Sequence, residues 1–182
     1  LICKAADAGY KVVILLAGIT ENLKQQTQER IDEGIIGFTR KKVNKKDVNE
    51  RVGVGVHSQE LLACSFTSCA NDFVGNCDKI STSLESHNSV VLFVIKKNVS
   101  VLKRLYNWLN EMNYDTVKRC VDQPMLLIDD EADNASVNTK KDETNPTRTN
   151  ELIRKICNLF KNATYVGFTA TPFANVFIDP DT

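Results

Sequence analysis

Uninterrupted apolar runs recur along the chain at Val12–Ala17, Val90–Ile95 and 125–128, each too short for a helix and without the alternation of a half-exposed strand. Such runs read as strands buried on both faces, the signature of a parallel sheet covered by helices. Residues 165–168 and, more weakly, 61–66 extend the set. Between them the apolar period becomes helical. Val101, Leu102, Leu105, Trp108, Leu109 and Met112 recur on one face behind Ser100 as the expected N-cap, and Leu152, Ile153, Ile156, Leu159 and Phe160 do so behind Thr149. Trp108 lies on its stripe and is expected in the core. Residues 1–8 have the spacing of a helix end, stopped by Gly9. Strand, helix and strand in alternation predict an α/β fold, a three-layer sandwich with a mainly parallel sheet and right-handed crossovers.

Three segments do not follow this pattern. Thr20 is placed to cap a helix reaching about Asp32, yet that helix has few apolar positions, so packing alone does not explain its composition. Gln25, Gln26 and Arg30 are candidates there for polar contacts to a ligand; the alternative is a solvated surface helix. Residues 39–60 are polar and basic without helical period, an insertion of loops or short edge strands. Residues 134–148 form a polar loop. Residues 1–182 are expected to make a single domain, burying about 70% of the unfolded surface.

Average charge excludes little, because 23 Lys and Arg balance 23 Asp and Glu. Its distribution says more: Arg40 to Arg51 carries six basic and two acidic residues, whereas Asp129 to Glu143 carries six acidic and two basic ones. Arg40, Lys41, Lys42, Lys45 and Lys46 could contact phosphates or be merely solvated. Six cysteines (Cys3, Cys64, Cys69, Cys77, Cys120, Cys157) occur without a CxxC pair. Cys3, Cys120 and Cys157 are expected as small apolar residues in helices, and the spacing of the other three suits no common zinc motif. Without a long apolar stretch or a leader, the expectation is a soluble, cytoplasmic chain with reduced thiols and no membrane partner.

The run at 125–128 stops at Asp129-Asp130-Glu131-Ala132-Asp133, which places carboxylates at the strand end where open α/β sheets bind ligands. Phosphoryl transfer to water requires a magnesium ion on the terminal phosphates and a group orienting the attacking water. Asp130 is suited to the first task and Glu131 to the second. Crowded acids raise each other's proton affinity, which a divalent cation relieves. An acidic turn after a core strand is the bland alternative.

Asp130-Glu131-Ala132-Asp133 resembles the DEAD-type Walker B motif of superfamily-two helicases, and Thr169-Ala170-Thr171 resembles the Ser/Thr-Ala-Thr motif that couples ATP to nucleic acid in them. Residues 16–23, 25–32, 127–133 and 165–175 together resemble the Z-one domain, a family described as endonucleases with a helicase-like ATPase core. The resemblance implies a RecA-like P-loop NTPase lobe, Mg2+ and ATP as cofactors, DNA as partner, and a role in restriction or phage defence. It also implies Asp130 and Asp133 at the cofactor, with Asp133 organising the Thr169-Ala170-Thr171 element.

The chain departs from that pattern in one respect that matters. None of its eight glycines is followed by Lys, so GxxxxGK[ST] is absent. The lobe is expected to be incomplete. Its P-loop strand and a second RecA-like lobe would lie outside these residues, leaving the strand at 165–168 with an exposed edge. The only Pro-Asp, Pro180-Asp181, stands apart from any PD-(D/E)xK arrangement, and His57 and His87 are isolated, so cleavage is expected from a separate nuclease domain. The competing class is a non-catalytic nucleic-acid or protein-interaction module on a degenerate P-loop NTPase fold.

Overall fold

A computed structural model describes residues 1–43, 46–58, 63–73, 83–132 and 148–170. In chain order the elements are α1 (Ile2–Asp7), β1 (Val12–Ala17), α2 (Glu21–Ile31), a π-turn at Asp32–Ile36, β2 (Phe38–Val43), β3 (Lys46–Arg51), α3 (Val54–His57), β4 (Ala63–Ser65), a 3-10 turn at Leu84–Ser86, β5 (Val90–Ile95), α4 (Val99–Met112), β6 (Met125–Asp130), α5 (Arg148–Leu159) and β7 (Ala163–Gly167). Five strands form one sheet in the order β4-β5-β1-β6-β7, and every neighbouring pair is parallel. The protein is thus a mixed α/β fold on a parallel sheet, as the apolar runs require.

Central β1 pairs with β5 on one side and β6 on the other, Ile14 opposing Phe93 and Leu127. Strand alternation divides the core into two layers. Val12, Ile14, Leu16, Val91, Phe93, Ile95, Met125 and Leu127 pack with the apolar stripes of α4 and α5. Val13, Leu15, Ala17, Leu92, Val94, Leu126 and Ile128 pack with Ile2 and Ala5 of α1, Ile31 of α2 and Ile36 of the π-turn. Helices therefore cover both faces. Trp108 is buried and meets Phe66, Phe73 and Phe93, with centroids 5.7 Å apart in each case.

Several local expectations are corrected. Asn98 rather than Ser100 caps α4, its Oδ1 accepting from the Ser100 and Val101 N–H groups at 2.9 and 3.4 Å. Because α5 already begins at Arg148, Thr149 lies buried within its first turn instead of capping it. Cys120 sits outside the helices in a bridge with Asp115, and Cys3 is exposed on α1. β4 is shorter than the expected strand, with 61–62 outside the described residues, and β7 covers Ala163–Gly167 rather than 165–168.

The basic insertion contains short strands, one of its two expected forms. β2 and β3 form an antiparallel hairpin apart from the main sheet, with Phe38 opposite Arg51 and Arg40 opposite Asn49. Arg51 is committed to structure: it stacks 5.3 Å from the centre of the Phe38 ring and donates to the Gly55 and Ser58 carbonyls at 2.8 and 3.1 Å. α3 presses against the π-turn so closely that a Cβ at Gly55 would lie 1.9 Å from the Gly37 carbonyl oxygen. Gly55→Ala is therefore expected to cost about 1–3 kcal/mol by forcing backbone apart. Urea denaturation checks this; unchanged stability would contradict so close an approach.

Candidate functional site

The carboxyl ends of β1, β5, β6 and β7 meet at one edge of the sheet. At the tip of β6, alternation separates the first two acids: Asp129 follows Met125 and Leu127 toward the α4/α5 layer, while Asp130 turns to the other face and is exposed. Asp129 does not join its neighbours in a shared cluster of charge. Its Oδ1 lies 2.7 Å from Lys97 Nζ, and both side chains are 0% exposed. Its Oδ2 accepts from the Tyr165 hydroxyl of β7 at 2.7 Å. Burial, reinforced by this carboxylate, pushes the Tyr165 phenol well above its usual range. The crowding that three consecutive acids imply is thus relieved in part by the Lys97 ammonium and by strand geometry rather than by a divalent ion.

Glu131 occupies a left-handed turn (φ +55°) directly after the strand. Its N–H donates to Asp130 Oδ1 at 3.2 Å, and its carbonyl accepts from Lys97 Nζ. Gly18, at the tip of β1, has φ +65°, and a Cβ there would lie 3.3 Å from Glu131 Oε2. The Glu131 carboxylate accordingly lies over Gly18, whose left-handed φ favours glycine.

Two backbone hydrogen bonds fasten this turn to the end of β7. Phe168 N–H donates to the Asp129 carbonyl and Ala132 N–H to the Phe168 carbonyl, both at 2.8 Å. Asp130, Glu131 and half-buried Thr169 are therefore brought to one edge, with Ala170 following in solvent. Asp133 and Thr171 lie outside the described residues.

Gln25, Gln26 and Arg30 stand on α2, which follows the tip of β1. Gln26 and Arg30 are exposed, and half-buried Gln25 faces Cys69, whose Sγ lies 4.0 Å from the Gln25 carbonyl oxygen. Part of the polar composition of α2 is structural: it buries Lys24 and Gln28. Lys24 Nζ donates to the Ser68 carbonyl and, at 3.1 Å, to the Asn71 carbonyl. Gln28 donates to Asp32 Oδ1 at 2.7 Å and accepts from the Thr67 hydroxyl at 2.9 Å. Thr67 Oγ1 in turn accepts from Val94 N–H at 2.8 Å. This network ties α2 to the segment after β4.

Burial pushes the Asp32 carboxyl up, against the opposing effect of its Gln28 and Thr39 hydrogen bonds. With a folded value above the unfolded one, its contribution to stability is complete below the unfolded pKa and is lost as pH rises through the folded one. Asp32→Asn keeps an acceptor for Gln28 and removes this loss. Thermal melts should show the wild type losing ground to the variant as pH rises from about 4; parallel profiles would contradict the assignment.

Cys64 lies beside His87 (Sγ to Nδ1 3.9 Å), a proximity that sequence spacing did not show, and His57 is exposed. Among the described residues no three His, Cys, Asp or Glu side chains group to hold a metal, and no helix is long and apolar enough to cross a membrane. What the fold and site define is a parallel α/β protein with Asp130 and Glu131 at the carboxyl end of the central strand β6, joined by backbone hydrogen bonds to the end of β7. No protein-family model matches the chain, and no curated protein matches it.

Proposed function

We propose that this chain is the larger part of the first RecA-like lobe of a helicase-like, Mg-ATP-dependent ATPase that acts on DNA, of the kind the Z-one resemblance implies, with an associated endonuclease in restriction or phage defence. The observation that carries the reading is the pair of backbone hydrogen bonds joining the Asp129–Ala132 turn to Phe168, which sets Asp130 and Glu131 beside Thr169. In this reading Asp130 holds hydrated magnesium and Glu131 orients the attacking water. Thr169, Ala170 and Thr171, organised by Asp133, pass the state of the nucleotide to DNA.

Asp130 is an exposed oxygen donor, and magnesium commonly takes only one or two protein carboxylates, completing its shell with phosphates and water. The phosphate loop is not in this sequence, so in this reading a segment outside it supplies the loop. Among the described residues β7 is the outermost strand on its side of the sheet, with four of its five residues exposed, which offers a place for that segment. A second lobe would complete the nucleotide site with arginine.

The 182-residue chain alone is therefore expected to hydrolyse ATP negligibly; turnover at rates typical of motor ATPases would contradict this. A full-length protein containing it should bind and hydrolyse Mg-ATP, measured by calorimetry and phosphate release, and failure to bind would sink the reading. The missing GxxxxGK[ST] motif favours the second reading, a non-catalytic interaction module, which predicts no magnesium-nucleotide binding in that same protein.

A further inference from the structure

We propose that Lys97 is a positioning residue for the strand-tip carboxylates, fixing Glu131 in its left-handed backbone and so aiming its carboxylate over the tip of β1. The consequence for catalysis rests on the hydrolase reading; the geometry does not. Lys97 follows β5 and is buried, and its N–H donates to the Gly18 carbonyl at 2.8 Å, which ties it to β1. Its ammonium meets Asp129 Oδ1 at 2.7 Å and the Glu131 carbonyl, which ties it to β6. One residue, through its backbone N–H toward β1 and its ammonium toward β6, thereby joins three strand tips.

Glu131 needs such support. Left-handed backbone is sparsely populated for residues with a side chain and persists where the surroundings over-determine it. The Asp130 carboxylate engages the N–H of Glu131, but it is exposed and so competes with water. Lys97 engages the carbonyl from a buried position with a charge-assisted bond, the stronger kind. Asp129 holds Lys97 in place, and its other oxygen is occupied by Tyr165. Asp129 is thus buried against Lys97, leaving exposed Asp130 and half-buried Glu131 at the sheet edge.

The test separates positioning from stabilisation. K97M alone leaves Asp129 unpaired and can unfold the protein, so the deciding variant is K97M/D129N, which buries no charge. In NMR of the 182-residue chain, the double variant should keep the methyl shifts of β1 and β5. It should lose the left-handed coupling and carbon-shift signature of Glu131, and its Ala132 amide should exchange about tenfold faster or more. A folded double variant that retains both signals overturns the proposal. In the full-length protein the same change should lower kcat by about tenfold to a hundredfold with little effect on KM for ATP; unchanged kcat also overturns it. A wild-type protein that hydrolyses no ATP would sink the hydrolase reading instead, while the NMR result still decides the role of Lys97.

Discussion

Lys97→Met is expected to destabilise the fold by about 3–5 kcal/mol, the range for breaking a buried ion pair by removing one partner. Asp129 would remain at a site with no solvent access, left among the described residues with the Tyr165 hydroxyl as its side-chain partner. Urea denaturation at neutral pH reads the loss. Coulomb attraction in the interior is largely offset by the desolvation of both ions, so most of the effect lies in stranding the survivor rather than in the pair itself. K97M/D129N should therefore recover the larger part of it. A single variant that loses only about 1 kcal/mol or less would mean the pair behaves like an exposed one, contrary to its burial.

Glu131→Gln should lower kcat for ATP by about a hundredfold to ten-thousandfold in the full-length protein, the range for removing a positioned proton-transfer group. Nucleotide affinity should change little, because in the proposed arrangement Glu131 meets the attacking water and Asp130 meets the metal. Single-turnover phosphate release separates the two effects. If E131Q weakened binding and left the chemical step intact, Glu131 would be a ligand rather than the water-orienting group. The variant is not expected to unfold the chain, since Lys97 and Asp130 engage the Glu131 backbone and the amide side chain is nearly the same size.

The sequence made the sheet legible where strands are buried on both faces. β1 and β5 are unbroken apolar runs, as is β6 up to Ile128, because each packs against two helical layers, and β5 coincides with the expected 90–95. The hairpin of β2 and β3 was legible only as loops or short edge strands, because its strands pair with each other away from the main sheet and, among the described side chains, Phe38 is the one packed against the core. α2 was ambiguous for a related reason. A polar helix reads as solvated or ligand-binding, and nothing local says that Lys24 and Gln28 are satisfied by carbonyls and hydroxyls from the segment after β4.

Within the candidate site, the convergence of Asp130, Glu131 and Thr169 followed from two strands ending in chemistry-bearing residues. Lys97 was missed. A lysine after an apolar strand reads as a solvent-facing end, and its partner is distant in sequence. The available signal was pairwise: β1 lies between β5 and β6, so Ile95-Lys96-Lys97 and Ile128-Asp129-Asp130 end at the same edge with opposite charges. Register then decides which cation meets which acid, and register is not written in either segment alone.

The most direct measurement is a crystal structure of the full-length protein with magnesium and a non-hydrolysable ATP analogue. The account predicts the metal at Asp130, directly or through water, with the terminal phosphate facing Glu131 and the end of β7. A nucleotide bound elsewhere, or a metal that meets neither Asp130 nor Glu131, would contradict it.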